Sequence, residues 1–150
     1  MYRRILVPVE NSSYDERILE HVRQLARYCG ASVVLIHVAD GWAARNIQHL
    51  HLRESEEMRA DREYIERLAQ GLTADGLHAE ALLATGDPSA EIAAAAEREH
   101  CDLIAMSTHG HRFLADLIYG SVASAVRHIT NVPVLLLRAP SAPKPKAVAT

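Results

Sequence analysis

The chain has 150 residues, 49% apolar and 23% charged, with a formal net charge of −3, the composition of one globular domain large enough to bury a real core. No basic run lies outside the carboxyl-terminal tail, so composition offers no electrostatic face for nucleic acid. No stretch approaches the roughly 18 consecutive apolar residues of a membrane-spanning helix.

Ile5 to Val9 is an apolar run that reads as a buried strand, too short for the core of a secretory signal, so a cytoplasmic location is expected. Asn11-Ser12-Ser13 makes the turn after it. Ser13 with Glu16 three residues later reads as a capping box. Ile18, Leu19, Val22, Leu25, Ala26 and Cys29 then recur at helical spacing, and Gly30 suits the position that ends the helix. Ser32 to Val38 is a second β-branched apolar run, hence a second buried strand. Asp40 to Arg53, with Trp42, His49 and His51, reads as a loop entering a helix.

Ser55 to Leu72 carries dense charge with one apolar face of Met58, Ile65, Leu68, Ala69 and Leu72. Leu77 to Ala84 is a third strand. Gly86-Asp87-Pro88 is a turn that places Asp87 as the cap and Pro88 as the first residue of a helix over Ala90 to Glu99. Leu103 to Met106 is a short fourth strand. Ser107 to Ile118 is a polar loop, and Ile118, Val122, Ala125, Val126 and Ile129 form the face of a fourth helix. Val132 to Leu137 is the last strand, and residues 139–150 are a Pro/Ala/Lys-rich tail expected to be disordered.

Strands buried on both faces and alternating with helices predict an α/β fold: one five-stranded parallel sheet, Rossmann-like order 3-2-1-4-5, with helices on both faces. Residues 1–138 form the domain. In that order the sheet reverses between the first and fourth strands, where ligands of such folds bind at the carboxyl ends. Those ends are Pro8-Val9-Glu10 and Ser107-Thr108-His109-Gly110. Gly120 and Ser121 follow at a helix start. Backbone amides there suit anionic oxygens, and the Ser121 hydroxyl adds a donor. By spacing alone, a phosphate cradle and an ordinary turn before a helix fit these residues equally well.

Lysine gives no help to a phosphate site. The only two, Lys144 and Lys146, stand in the tail, so the body of the chain has no Walker-type lysine, no Schiff-base lysine and no receiver-domain lysine. Cys29 and Cys101 have no metal-like spacing and read as buried reduced thiols. The nine histidines include no metalloprotease-type spacing, so no metal site is expected. His37 reads as a satisfied core or rim histidine, Asp15, Asp61 and Asp75 as caps and solvated faces. Trp42 suits either the mouth of an adenine site, a partner surface or packing under a loop.

Several segments together resemble the universal stress proteins: Ile5-Leu6-Val7-Pro8-Val9 followed by an acid and serines, Leu35-Ile36-His37-Val38, Gly86-Asp87-Pro88, Met106-Ser107-Thr108-His109-Gly110, Gly120-Ser121-Val122 and Val132-Pro133-Val134-Leu135. The resemblance runs from Tyr2 to about Arg138. Nucleotide-binding members carry Gly, two residues, Gly, nine residues, Gly, then Ser or Thr. This chain keeps the spacing with Ser107 in place of the first glycine, and has Glu10 where the family usually has aspartate.

The resemblance implies an adenine nucleotide, ATP with Mg²⁺ or alternatively AMP, in a cytoplasmic stress-response protein. Pro8, Val9 and Glu10 would line one wall of the adenosine site and Val38 would meet adenine through its backbone. Ser107, Thr108, His109, Gly110, Gly120, Ser121 and Val122 would form the phosphate segment. His111 and Arg112 either add positive charge there or belong to a solvated loop. Three readings follow: a nucleotide-responsive regulatory module, a slow ATPase for which no positioned general base is visible, and a nucleotide-free interaction dimer with a protein partner. The apolar last strand, Val132 to Leu137, would lie at a sheet edge open to pairing with a second copy, and the resemblance implies the same homodimer.

Overall fold

The computed structural model describes residues 1–40, 56–108 and 121–138. Its five parallel strands are β1 (Arg4–Pro8), β2 (Ser32–Asp40), β3 (Ala79–Gly86), β4 (Leu103–Ser107) and β5 (Val134–Leu137). They form one sheet in the order β3-β2-β1-β4-β5, as expected. Four helices connect them among the described residues: α1 (Tyr14–Cys29), α2 (Glu56–Ala74), α3 (Pro88–Arg98) and α4 (Ser121–Ile129). None of the described helices is long and apolar enough to cross a membrane.

The alternation of strand side chains divides the core into two layers. Ile5, Val7, Val9, Val33, Leu35, Leu103 and Ala105 face α1 and α2, which bring Ile18, Leu19, Val22, Ala26, Ile65, Ala69 and Leu72. Leu6, Val34, Ile36, Ile104 and Met106 face α3 and α4, which bring Ile92, Ala95, Ala96, Ala123 and Val126. Small alanines let α3 lie close to the sheet. This two-sided burial is why the strands read as unbroken apolar runs.

The element ends follow local chemistry. Gly30 closes α1 at φ 67°, in the left-handed region that favours glycine. The capping box expected of Ser13 is not formed: Ser13 is helical and makes no side-chain cap bond. Ser12 takes that place, its hydroxyl accepting from the Tyr14 amide at 3.4 Å. The last strand begins at Val134, two residues later than expected. Pro133 still accepts from the Ile104 amide at 2.9 Å but has no N–H of its own, and Val132 turns its amide to the Thr130 hydroxyl at 3.1 Å. β2 runs on past Val38 to Asp40, beside a β3 that reaches Gly86. Trp42, His49, His51 and the 139–150 tail lie outside the described residues.

At the amino ends of the strands, the Arg4 guanidinium pairs with Glu80 at 2.8 Å and Glu99 at 3.2 Å, and Asp102 accepts from the Arg3 and Arg4 amides. Cys101 is buried beside this cluster, and burial pushes its thiol up to about 11.

Asp87 caps α3 as the sequence predicts. Its carboxylate accepts from the Ala90 amide at 3.0 Å and the Ser89 hydroxyl at 2.7 Å, and these bonds hold it below the usual carboxylate range. Asp87→Ala is expected to lower stability by about 1 kcal/mol at neutral pH. Because the folded-state pKa is depressed, the bond contributes fully above the unfolded carboxylate pKa and is lost as pH falls through the folded value. Urea denaturation of both proteins should therefore show their difference shrinking as the solution is made acidic below that range.

Candidate functional site

The opening in the sheet begins with a missing amide. In a parallel ladder successive residues turn their backbone groups to opposite neighbours. The Arg3 carbonyl accepts from Ser32 beside β2, the Arg4 carbonyl accepts from Asp102 beside β4, and the Val9 amide donates to Ile36 of β2 at 2.9 Å. Pro8 therefore faces β4, and proline has no N–H to send there. Pairing between β1 and β4 stops at Ile5↔Leu103 and Leu6↔Ile104.

Beyond that point each strand follows its outer neighbour. β1 stays on β2 as far as Pro8↔Ile36. β4 stays on β5 as far as Ser107↔Leu137, and the Thr108 amide then donates to Leu137 at 3.0 Å. The parting lies at the reversal of strand order, where a crevice forms in folds of this type.

Pro8, Val9 and Glu10 end one side of this parting, and Ser107 and Thr108 end the other. Val38 lies near the end of β2, paired with Ala84. Ser121 is the first residue of α4 and exposed, and Val122 packs partly against the layer beneath α3 and α4. His109, Gly110, His111, Arg112 and Gly120 lie outside the described residues.

Under the β1–α1 turn lies a polar layer that sequence reasoning missed. Asp15 and Asp61, read from sequence as caps or solvated positions, are only 3% and 6% exposed. The Asp15 carboxylate accepts from the Glu10 amide at 3.0 and 3.2 Å, the Ser12 amide at 3.1 Å and the Tyr64 hydroxyl at 2.7 Å. Asp61 accepts from the Asn11 side-chain amide at 3.4 Å. His37, expected to be a satisfied core histidine, has Nδ1 2.9 Å from the Val9 carbonyl and Nε2 3.1 Å from Asp61 Oδ2. Asn11 holds φ 60°, a left-handed conformation that asparagine tolerates better than most residues. The end of β1 is thus gripped from α1, α2 and β2 together.

The missed signal was positional. Asp15 stands in register with Ile18, Leu19 and Val22, and Asp61 with Ile65, Ala69 and Leu72, so each carboxylate lies on the buried stripe of its own helix. A buried carboxylate needs donors, and the turn amides and Tyr64 supply them. Burial, and then the bond to Asp15, push the Tyr64 phenol above its ordinary value.

Comparison with known proteins follows the same architecture. The family model described as the universal stress protein family matches residues 1–138. Universal stress protein MJ0577 of Methanocaldococcus jannaschii is 29% identical over 92% of this chain and 96% of its own length. Its solved structure, described as that of hypothetical protein MJ0577, superposes with a TM-score of 0.81 at 27% identity, covering 95% of this chain and 99% of the other. The universal stress protein from Archaeoglobus fulgidus in complex with dAMP has a TM-score of 0.67 at 24% identity, over 90% of this chain and 97% of the other. A universal stress protein in complex with cAMP also reaches 0.67, at 17% identity over 91% and 97% of the two chains. At these lower identities the likeness is one of fold.

Removing the Asp15 carboxylate strands three donors in a buried place. Asp15→Ala is expected to cost about 3 kcal/mol, and Tyr64→Phe, which removes one bond, about 1 kcal/mol. Denaturant titration of the two variants beside the parent checks both values. An exposed cap in place of this layer would give a loss for Asp15→Ala no larger than that for Tyr64→Phe.

Proposed function

The chain belongs to the universal stress protein family, and on that premise we propose that it is a regulatory module that binds an adenine nucleotide, ATP with Mg²⁺ in preference to AMP, between β1 and β4. The observation that carries this reading is the parting of those strands after Leu6↔Ile104, with Pro8, Val9 and Glu10 on one lip and Ser107 and Thr108 on the other. Relatives of the same fold that were solved with dAMP and cAMP support the adenine class.

The chain's own residues fit such a ligand. Backbone at Val38 offers a donor and an acceptor of fixed direction for an adenine edge, and Val9, its amide held by Ile36 and its carbonyl by His37, forms part of the wall. Glu10 brings a carboxylate for the ribose, or for Mg²⁺ through water. The segment from Ser107 to Ser121 supplies the phosphate side through backbone amides and the Ser121 hydroxyl at the start of α4. Ser107 gives this segment less conformational freedom than a glycine would, so the phosphate grip is weakened, not removed, relative to a glycine at that position. Occupancy would bias the order of that segment, and with it the surface offered to a protein partner.

We also propose that the module works as a homodimer through β5. The strand lies at the end of the strand order, and its Leu136 is 38% exposed. An apolar edge of this kind is satisfied by a second copy related by a two-fold axis.

The protein should be purified without added nucleotide and denatured, and any released small molecule identified by mass. Calorimetric titration with Mg–ATP and with AMP follows. Binding by the parent, weakened at least about tenfold (about 1.4 kcal/mol) in Gly120→Asp, is the expected result. Equal binding by the variant would refute the phosphate assignment. Light scattering at micromolar concentration is expected to give a dimer for the parent and a monomer for Leu136→Lys; a monomeric parent would count against the edge-strand interface.

A further inference from the structure

The peptide group between Val9 and Glu10 is held at both ends by side chains. Its carbonyl accepts from His37 Nδ1 of β2 at 2.9 Å. Its N–H donates to the Asp15 carboxylate of α1, 3.0 Å from Oδ1 and 3.2 Å from Oδ2. A peptide unit is planar, so bonds at its two ends fix the whole plane. The Val9 amide, one peptide earlier, donates to Ile36 at 2.9 Å. The strand pairing of β1 has already ended, at Leu6↔Ile104 on one side and Pro8↔Ile36 on the other. Side chains therefore take over where the ladder stops, at the residue that carries the acid of the β1 lip.

Asp15 is fixed in turn from a distant helix. It is buried, and besides the Glu10 amide it accepts from the Ser12 amide at 3.1 Å and the Tyr64 hydroxyl at 2.7 Å. The two amides flank Asn11, whose φ is 60°, and converge on one carboxylate as backbone amides converge on an anion. Tyr64 belongs to α2, 49 residues further along the chain, and its ring packs against the core layer between the sheet and α1 and α2. A continuous set of bonds thus runs from α2 through Tyr64 and Asp15 to the backbone of Glu10.

From this geometry we infer that Asp15 and Tyr64 are positioning residues of the nucleotide site: they hold the backbone from which the Glu10 carboxylate meets the ligand, so that nucleotide affinity depends on a hydroxyl carried by α2. The inference rests on the nucleotide reading above, in which Glu10 serves the ribose or Mg²⁺. A glutamate has a long, rotamer-rich stem, and a fixed backbone limits the ordering that binding must impose on it. Without the Tyr64 hydroxyl, the Asp15 carboxylate loses its shortest bond. The Val9–Glu10 peptide can then rock, and the ligand must arrest that motion itself.

A double-mutant cycle separates this role from packing and from a direct contact of Tyr64 with the ligand. Tyr64→Phe keeps the ring and removes only the hydroxyl. Asp15→Asn keeps the shape and puts a donor in place of one acceptor oxygen. Each is made in the parent and in Glu10→Ala, and affinity for Mg–ATP is measured by calorimetry. Nitrogen–proton correlation spectra of the ligand-free proteins follow the Glu10 amide, with Ile5 to Val7 of the same strand as internal controls.

Glu10→Ala is expected to bind at least about threefold more weakly than the parent, and so is Tyr64→Phe, with Asp15→Asn weaker still. In the Glu10→Ala background, Tyr64→Phe is expected to change affinity by less than about 1.5-fold, because the group it positions is gone. The Glu10 amide signal should move in Tyr64→Phe while those of Ile5 to Val7 stay in place. Equal losses from Tyr64→Phe in the two backgrounds would overturn the inference, as would parent-like binding by Tyr64→Phe or by Glu10→Ala. All three results leave the nucleotide reading standing, since the parent binds. No binding by the parent would overturn both. Should Asp15→Asn fail to fold, the Tyr64→Phe cycle and the amide spectra decide the matter.

Discussion

A central strand must satisfy the backbone on both of its edges, and β1 does so for only part of its length. That constraint organises the molecule. At its amino end β1 is held by β2, by β4 and by the Arg4 and Asp102 contacts. At its carboxyl end Pro8 removes one donor, and β4 stays paired with β5 while its pairing with β1 stops. A sheet of uniform pairing would have no lip there. One residue without an N–H opens the place to which the strand order already points.

The opening has different chemistry on its two faces. On the α3 and α4 side the layer under the strands is apolar to its end, with Met106, Ile36 and Ala123. On the α1 and α2 side it ends in a connected polar group: Asp15, Tyr64, Asn11, Asp61 and His37. Apolar packing holds position with little directional preference, whereas buried hydrogen bonds demand particular atoms at particular places. The β1 lip is therefore held by directional bonds, and the far side by shape.

The fold was legible because its signals repeat. Apolar runs such as Val33 to Ile36 announce strands buried on both faces, Gly30 and Asp87-Pro88 punctuate helices, and right-handed crossovers restrict the strand order. The predicted wall residues Pro8, Val9 and Glu10 stand at the parting. What escaped notice was polarity on an apolar stripe. Asp15 and Asp61 each have the type of a surface residue and the spacing of a core residue, and their partners come from elsewhere in the chain: Tyr64 is 49 residues from Asp15, and Asn11 is 50 from Asp61. No local pattern encodes such pairs. Ser13 shows the converse, a local motif with the right letters whose task passed to its neighbour Ser12 and to the buried Asp15.

Cys101 carries a consequence at the opposite end of the sheet. Its thiol is buried, pushed up to about 11, and placed just before β4 in a segment whose amides bond to the Ala96 carbonyl and, through Asp102, to the Arg4 carbonyl. A thiol in that condition reacts slowly while the fold stays closed, because both access and thiolate are scarce. Its modification by a small alkylating reagent therefore keeps time on the opening of the amino end of the sheet. Run with and without ligand, such a clock would tell whether occupation of one end of β1 is felt as a change in breathing at the other.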